Sequence, residues 1–338
     1  MQSIKLIKEI INESKSIAIL GHIEPDVDCL ASAVAIKRAF LTNLERVCDK
    51  NIDIFANIAD ENEMLSPIVK GEKFKIKSDE VYDLAICIDC PTVQRMGEYA
   101  TIFESAKNTI LIDHHENNEL FANHNFVYKT SSTCELIYIL LKALEFDISN
   151  DVCKFIYAGI VSDTVNLTQG TIKVSSYKII AEIAEKVNDM ESLDSIKDYL
   201  LKNKTKSNLK LLERALHSMS FYLNDRVAVM KITGEDLKEC GANNADTIGI
   251  VNNAINIKGV YIAVLFIKQE DGSYYASMRA KNGVDVSVIA AALGGGGHET
   301  VAAFNFGNNL SELKDLLLGL CEQALVGVDI EEDSGNLF

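Results

Sequence analysis

Apolar positions in the first half of the chain fall into short, nearly continuous runs separated by longer stretches with helical spacing. Residues 16–21, 51–56, 82–89 and 108–113 are the strand-like runs, and the spacing predicts helices over 29–40, 133–144 and 151–162. Such alternation predicts parallel βαβ units in a doubly wound α/β sheet. The opening MQSIKLIKEIINESKSIAIL mixes Lys and Glu among isoleucines, so it predicts an amphipathic helix running into the first strand. From about Tyr177 to Met219 the pattern turns almost wholly helical, with Leu193, Ile196 and Leu200, then Leu209, Leu212 and Leu216 in phase. The polar, basic insert 203–208 interrupts it and is the expected linker. Beyond it the pattern predicts strands over 226–232, 260–268 and 273–281, a helix near 245–255 and a last helix over 310–325. The second half therefore reads as a smaller α+β domain.

Composition adds a class. At 338 residues, 48% apolar and 24% charged, the chain is too apolar for disorder and long enough for about two domains. No apolar run approaches the ~20 residues that span a bilayer, and the N-terminus lacks a secretory apolar core. Eight scattered cysteines suit a reducing compartment, so a cytoplasmic protein without membrane contact is expected. Thirty-three Lys and Arg against 49 Asp and Glu leave a net charge of −16. That surface repels long duplex nucleic acid but allows small phosphorylated substrates in a cationic site. Residues 328–338 read as an acidic, solvated tail.

Candidate chemistry gathers at strand ends. His22, Asp26 and Asp28 follow the first strand directly, where open α/β sheets place their ligands. Imidazole with carboxylate suits Mn, Fe, Zn or Mg, although Asp26 or Asp28 could equally cap the helix near Cys29. Asp89 ends a second apolar run, and Asp113, His114 and His115 end a third. Three such coincidences are hard to explain by capping. Asp163, alone, reads as a helix-end residue. Ser132 precedes a helix and reads as part of its cap, beside a place near a substrate phosphate. The run Gly294–Gly297 before His298 reads as a flexible loop; it lacks the Gly-Lys-Ser/Thr of a P-loop, yet successive glycines let a backbone approach an anion. Cys87 and Cys90 form an isolated C-x-x-C that Asp89 already explains.

Together, His22, Asp26, Asp28, Asp89, Asp113-His114-His115 and Asp163 resemble the ordered motifs of the DHH phosphoesterase family. Ser277-Met278-Arg279 and the segment from Gly294 to Ala303 resemble its DHHA1 domain. Size and domain pairing are most similar to the bacterial oligoribonuclease (nanoRNase)/pAp-phosphatase branch. The resemblance implies a catalytic domain over 1–185, a helical linker over 186–218, a substrate-binding domain over 219–327 and a tail over 328–338. It implies two divalent ions, usually Mn2+, with Mg2+, Co2+ or Fe2+ as alternatives. His22, Asp26 and Asp89 would hold one ion; Asp28, Asp89, His114 and Asp163 would hold the other, with Asp89 bridging. Such a pair can activate a shared hydroxide against phosphorus. Asp113 and His115 would assist catalysis, Asp113 by orienting an imidazole. Arg279, Gly295, Gly296, Gly297, His298 and Ser132 would bind substrate in an interdomain cleft.

The implied substrates are short oligoribonucleotides, linear dinucleotides such as pApA, or the nucleoside bisphosphate pAp; a homodimer stays open. The alternatives are an inorganic pyrophosphatase-like hydrolase and a nucleotide-sensing module of low activity. Val27 and Cys29 stand where the family usually has Gly and Ala. The stretches 165–169 and 301–303 also depart from it, and these changes bear on substrate choice rather than on hydrolysis.

Overall fold

The apolar runs of the first half form the parallel strands of a doubly wound sheet. The structure, a computed structural model, describes residues 2–44, 49–58, 70–115, 117–170, 172–281, 283–307 and 309–326. Its strands β1 (Ser16–Leu20), β2 (Asn51–Phe55), β3 (Phe74–Lys75), β4 (Leu84–Ile88), β5 (Asn108–Asp113) and β6 (His124–Val127) pair in the order β3-β2-β1-β4-β5-β6. Every pairing is parallel. Helices α1 (Gln2–Glu13), α2 (Val27–Asn43), α3 (Ala100–Ser105), α4 (Thr133–Ala143), α5 (Asn150–Asp163), α6 (Val174–Val187) and α7 (Met190–Lys202) complete this unit.

Alternation along each strand shows why the runs are continuous rather than amphipathic. Ile17, Ile19, Leu84, Ile86, Ile88, Ile110 and Ile112 pack into a core with α1, α2, α4 and α5. Ala18, Leu20, Ala85, Cys87 and Leu111 point the other way, onto Met96, Tyr99, Ile102 and Phe103. Both faces are covered, as a parallel sheet requires. The strand order reverses between β1 and β4. In such sheets the crevice beyond the carboxyl ends at this switch point is where ligands bind.

The chain divides into two compact units, Met1–Asn203 and Lys204–Phe338, so α7 and the next helix, α8 (Lys206–His217), fall on opposite sides of the division. The insert 203–208 is only partly a connection, because Thr205 Oγ1 accepts the Asn208 amide and caps α8. The second unit holds β7 (Ser220–Tyr222), β8 (Val227–Ile232), α9 (Gly234–Cys240), α10 (Asn252–Ile255), β9 (Ile262–Lys268), β10 (Tyr274–Ala280), α11 (Val286–Ala292), β11 (Gly296–His298), β12 (Val301–Phe306) and α12 (Leu310–Ala324). Its sheet runs β11-β12-β10-β9-β8-β7, with β8 and β9 parallel and the other pairs antiparallel.

Two expectations are corrected here. The helix expected over 245–255 is a 3-10 turn (Asn244–Thr247) and a separate α10, because Gly249 takes φ +79° between them. The glycine run is not an open loop, because Gly296–His298 pairs with β12 as a strand. The acidic tail 328–338 lies outside the described residues. No helix among the described residues is long and apolar enough to cross a membrane.

Candidate metal centre

Beyond the carboxyl ends of β1, β4 and β5 the backbone delivers its ionisable side chains to one place. Asp89, directly after β4, adopts φ 57°, a left-handed conformation that Asp tolerates better than most residues. Its amide donates to the Ile112 carbonyl at 3.0 Å, tying the turn to β5. Its carboxylate then sits among three imidazoles, 3.8 Å from His22 Nε2, 3.6 Å from His114 Nε2 and 3.7 Å from His115 Nδ1. His114 Nε2 also lies 3.5 Å from Asp163 Oδ2 at the end of α5. Nδ1 of His114 lies 3.3 Å from the Thr130 carbonyl, which fixes the tautomer with its proton there and turns the Nε2 lone pair toward the two carboxylates.

Asp28 is held differently. It is buried in the first turn of α2, and the amides of Thr133 and Cys134 donate to its two oxygens at 2.7 and 3.0 Å. The positive N-terminus of α4 therefore receives this carboxylate. Asp26 serves the capping role considered for it: its Oδ1 accepts the Cys29 amide at 3.0 Å at the start of α2. Donor atoms of His22, Cys29 and Asp89 lie within 4.8 Å of one another, as do those of Asp28, His114 and Asp163. The second group matches three of the four ligands expected for the second ion. In the first group Cys29 joins His22 and Asp89.

Electrostatics supports ion binding at this place. Burial and the neighbouring Asp89 and Asp163 charges push the Asp28 carboxyl well up. Burial, Asp26 and Asp89 do the same to Asp163. For Asp89 burial acts in the same direction, but His115, His114 and His22 outweigh it and hold the carboxyl below the usual range. His22 Nδ1 is buried without a hydrogen-bond partner among the described residues. Crowded carboxylates and an unsatisfied imidazole fit divalent cations, and four aspartates balance two of them.

The imidazole beside Asp113 is that of His115: Asp113 Oδ1 lies 2.7 Å from His115 Nδ1. Burial opposes the charged ring, but this contact, with Asp89 and Asp163 nearby, lifts His115 to about 9. Asn118 Nδ2 donates to the other Asp113 oxygen at 2.5 Å, and Thr133 Oγ1 donates to Asp89 Oδ1 at 2.9 Å. Thr133 belongs to the small-polar stretch 131–133 that reads as a helix start; Asn118 did not stand out, although it lies four positions beyond His114, where a polar residue could have been suspected.

Gly159 is a further residue the sequence did not single out. A Cβ there would fall 2.2 Å from Cys134 Sγ and 2.6 Å from Asp28 Oδ1. Gly→Ala in a helix interior ordinarily gains about 1 kcal/mol. Here Gly159→Ala should instead cost about 1–3 kcal/mol through overpacking and displace Asp28. Thermal unfolding with a Mn2+ titration checks this; a stabilised variant with unchanged affinity would contradict it.

After Asp163 the backbone makes three left-handed residues, Val165, Asn166 and Leu167, at φ 47°, 55° and 59°. A β-branched Val in that region is strained by roughly 1–2 kcal/mol. The strain thus sits in one of the stretches that depart from the family pattern.

The other expected substrate residues are placed as follows. Ser132 is fully buried, and its hydroxyl accepts the Glu135 amide at 3.1 Å as the N-cap of α4. In the second unit, Arg279 on β10 donates from Nη1 to the Met278 carbonyl at 2.8 Å, while its Nε is buried with no partner among the described residues. Gly295 and Gly297 are needed for close approach: a Cβ on either would fall 2.1 or 2.4 Å from a β12 carbonyl. Gly296 has open space around it, and His298 ends β11 opposite Val301.

Residues 16–160 match the DHH family, N-terminal domain, and residues 224–325 match the DHHA1 domain. The chain is 24% identical to a probable bifunctional oligoribonuclease and PAP phosphatase NrnA of Streptococcus mutans, over 94% of this chain and 97% of that protein. It is 28% identical to the cyclic-di-AMP phosphodiesterase GdpP of Geobacillus thermodenitrificans, over 94% of this chain and 48% of that longer protein. An exopolyphosphatase-related protein from Bacteroides fragilis shares the fold, with a TM-score of 0.82 at 23% identity over 96% of this chain and 95% of that one. The sheet order, the strand-end carboxylates and imidazoles and both domain matches agree: the chain belongs to the DHH family of phosphoesterases, with a DHH domain followed by a DHHA1 domain.

Proposed function

We propose that the protein hydrolyses phosphoester bonds of very short oligoribonucleotides, the 3'-phosphate of pAp, or both. The observation that carries the reading is the meeting of Asp28, Asp89, His22, His114 and Asp163 at the switch point of the parallel sheet. His22, Asp26 and Asp89 would hold one divalent ion; Asp28, Asp89, His114 and Asp163 would hold the other, with Mn2+ the favoured metal. Two such ions supply an activated water and neutralise charge at the scissile phosphate.

The chain's own residues do the rest. Asp89 would serve both ions. Asp113, pinned by Asn118, holds Nδ1 of His115, so the proton that His115 gives to the leaving oxygen is carried at Nε2. In the second unit, Arg279, Gly295, Gly296, Gly297 and His298 would bind a substrate phosphate. The buried, unpartnered Nε of Arg279 is suited to an anionic acceptor. The relationship to a longer protein named a cyclic-di-AMP phosphodiesterase favours one second reading, hydrolysis of a phosphodiester bond in a dinucleotide by the same chemistry.

Assays of the Mn-loaded protein on pAp, a dinucleotide, a pentanucleotide, a 20-mer and pyrophosphate in parallel test the proposal. Efficiency should peak for di- to tetranucleotides, because a surface at net −16 offers longer strands no attraction. Arg279→Ala should lose roughly tenfold to hundredfold on short substrates, the worth of a charge-assisted contact, without loss of bound metal. A flat length profile, unchanged in the variant, would refute this substrate reading, and a preference for pyrophosphate would replace it.

A further inference from the structure

The 130–134 segment does much of the holding behind the ion-binding side chains. The Thr130 carbonyl faces His114 Nδ1, the Thr133 hydroxyl donates to Asp89, and the Thr133 and Cys134 amides grip Asp28. Glu135 in turn holds this segment. Its side chain is fully buried, and Oε2 accepts from the Ser131 amide at 3.2 Å, the Ser131 hydroxyl at 2.5 Å and the Ser176 hydroxyl of α6 at 2.7 Å.

Ser132 and Glu135 stand at the spacing of a capping box, in which the Glu would return to the Ser132 amide. Only half of that box is present. Ser132 Oγ accepts the Glu135 amide, but the carboxylate reaches one residue further back, to Ser131. Its Oε1 is buried with no partner among the described residues, a cost an ordinary cap on the protein surface does not carry. None of the hydrogen bonds of Glu135 goes to an ion-binding side chain, yet it fixes the segment that positions three of them.

We propose that Glu135 is a positioning residue for the second ion site, acting through Ser131 on the groups that orient His114 and Asp28. The inference rests on the two-ion reading above. Among the described residues the first site meets this segment through the hydroxyl bond from Thr133 to Asp89, so loss of Glu135 acts unevenly on the two ions.

Stepwise Mn2+ binding, followed by the electron paramagnetic resonance of free Mn2+ and by calorimetry, tests this in Glu135→Ala, Glu135→Gln and Ser176→Ala. Glu135→Ala should weaken the second binding step by about 10- to 100-fold, the usual cost of removing a ligand's supporting partner, and the first step far less. Glu135→Gln keeps an acceptor oxygen for Ser131 and should recover most of the affinity. Ser176→Ala, which spares the carboxylate and both Ser131 bonds, should fall between Glu135→Ala and wild type. Unchanged binding in Glu135→Ala overturns the proposal. Equal weakening of both steps with a lower melting temperature also overturns it, because general loosening has that signature. If Glu135→Ala does not fold, an unchanged second step in Ser176→Ala overturns it. The wild type is measured first: fewer than two bound ions would refute the two-ion reading itself, before any variant is compared.

Discussion

Asp89→Ala should lower turnover by about a thousandfold or more while leaving the fold intact. Loss of one electrostatic group from a water-poor site already costs about 10²–10³ in rate, and Asp89 would serve both ions. The geometry explains why no neighbour can substitute. Asp89 lies within 3.8 Å of three imidazoles, and its turn is tied to β5 by its own amide. Its removal also eases the repulsion that pushes Asp28 and Asp163 up, which offsets the lost acceptor for Thr133. Circular dichroism and melting of the ion-free variant should therefore match wild type. Near-normal activity with a full metal complement would remove Asp89 from the mechanism.

Much of this site was legible because parallel sheets put ligands at strand ends, and strand ends are visible as the last residue of an apolar run. His22, Asp89 and Asp113 could be placed on one edge from that rule alone. Asp163 could not: only the packing of α5 brings the residue at its end to His114. For a related reason, Gly159 and Glu135 were not singled out. Gly159 matters through Cys134 and Asp28, both distant in sequence, and Glu135 shows only the spacing of a capping box, which does not point to an ion site. The glycine run misled in the opposite way, because a composition that suits a loop here forms a strand that must lie close against β12. In the 245–255 stretch helical spacing was present, but Gly249 at positive φ divides it.

The adjacent histidines should separate cleanly. Their ring centroids are 4.8 Å apart with planes at 61°; Asp89 lies near both, but Nδ1 of His114 faces the Thr130 carbonyl and Nδ1 of His115 faces Asp113. His114→Ala removes a donor from the second ion's set and should lower bound Mn2+ by tenfold or more in affinity, on the scale of about 10–100-fold for lost support of a metal ligand. His115→Ala should leave metal content near wild type and slow the chemical step by roughly 10²–10⁴, the worth of a positioned general acid. Metal analysis of both variants with single-turnover kinetics decides the matter. Equal metal loss in the two would dissolve the distinction.

The central claim is that one chain binds two ions at the switch point of the first sheet. Anomalous diffraction from Mn-soaked crystals tests it most directly. Two peaks about 3.5–4 Å apart are expected, one beside His22 and Asp89 and the other among Asp28, His114 and Asp163, with Asp89 between them. A single peak, or peaks away from these residues, would contradict the account.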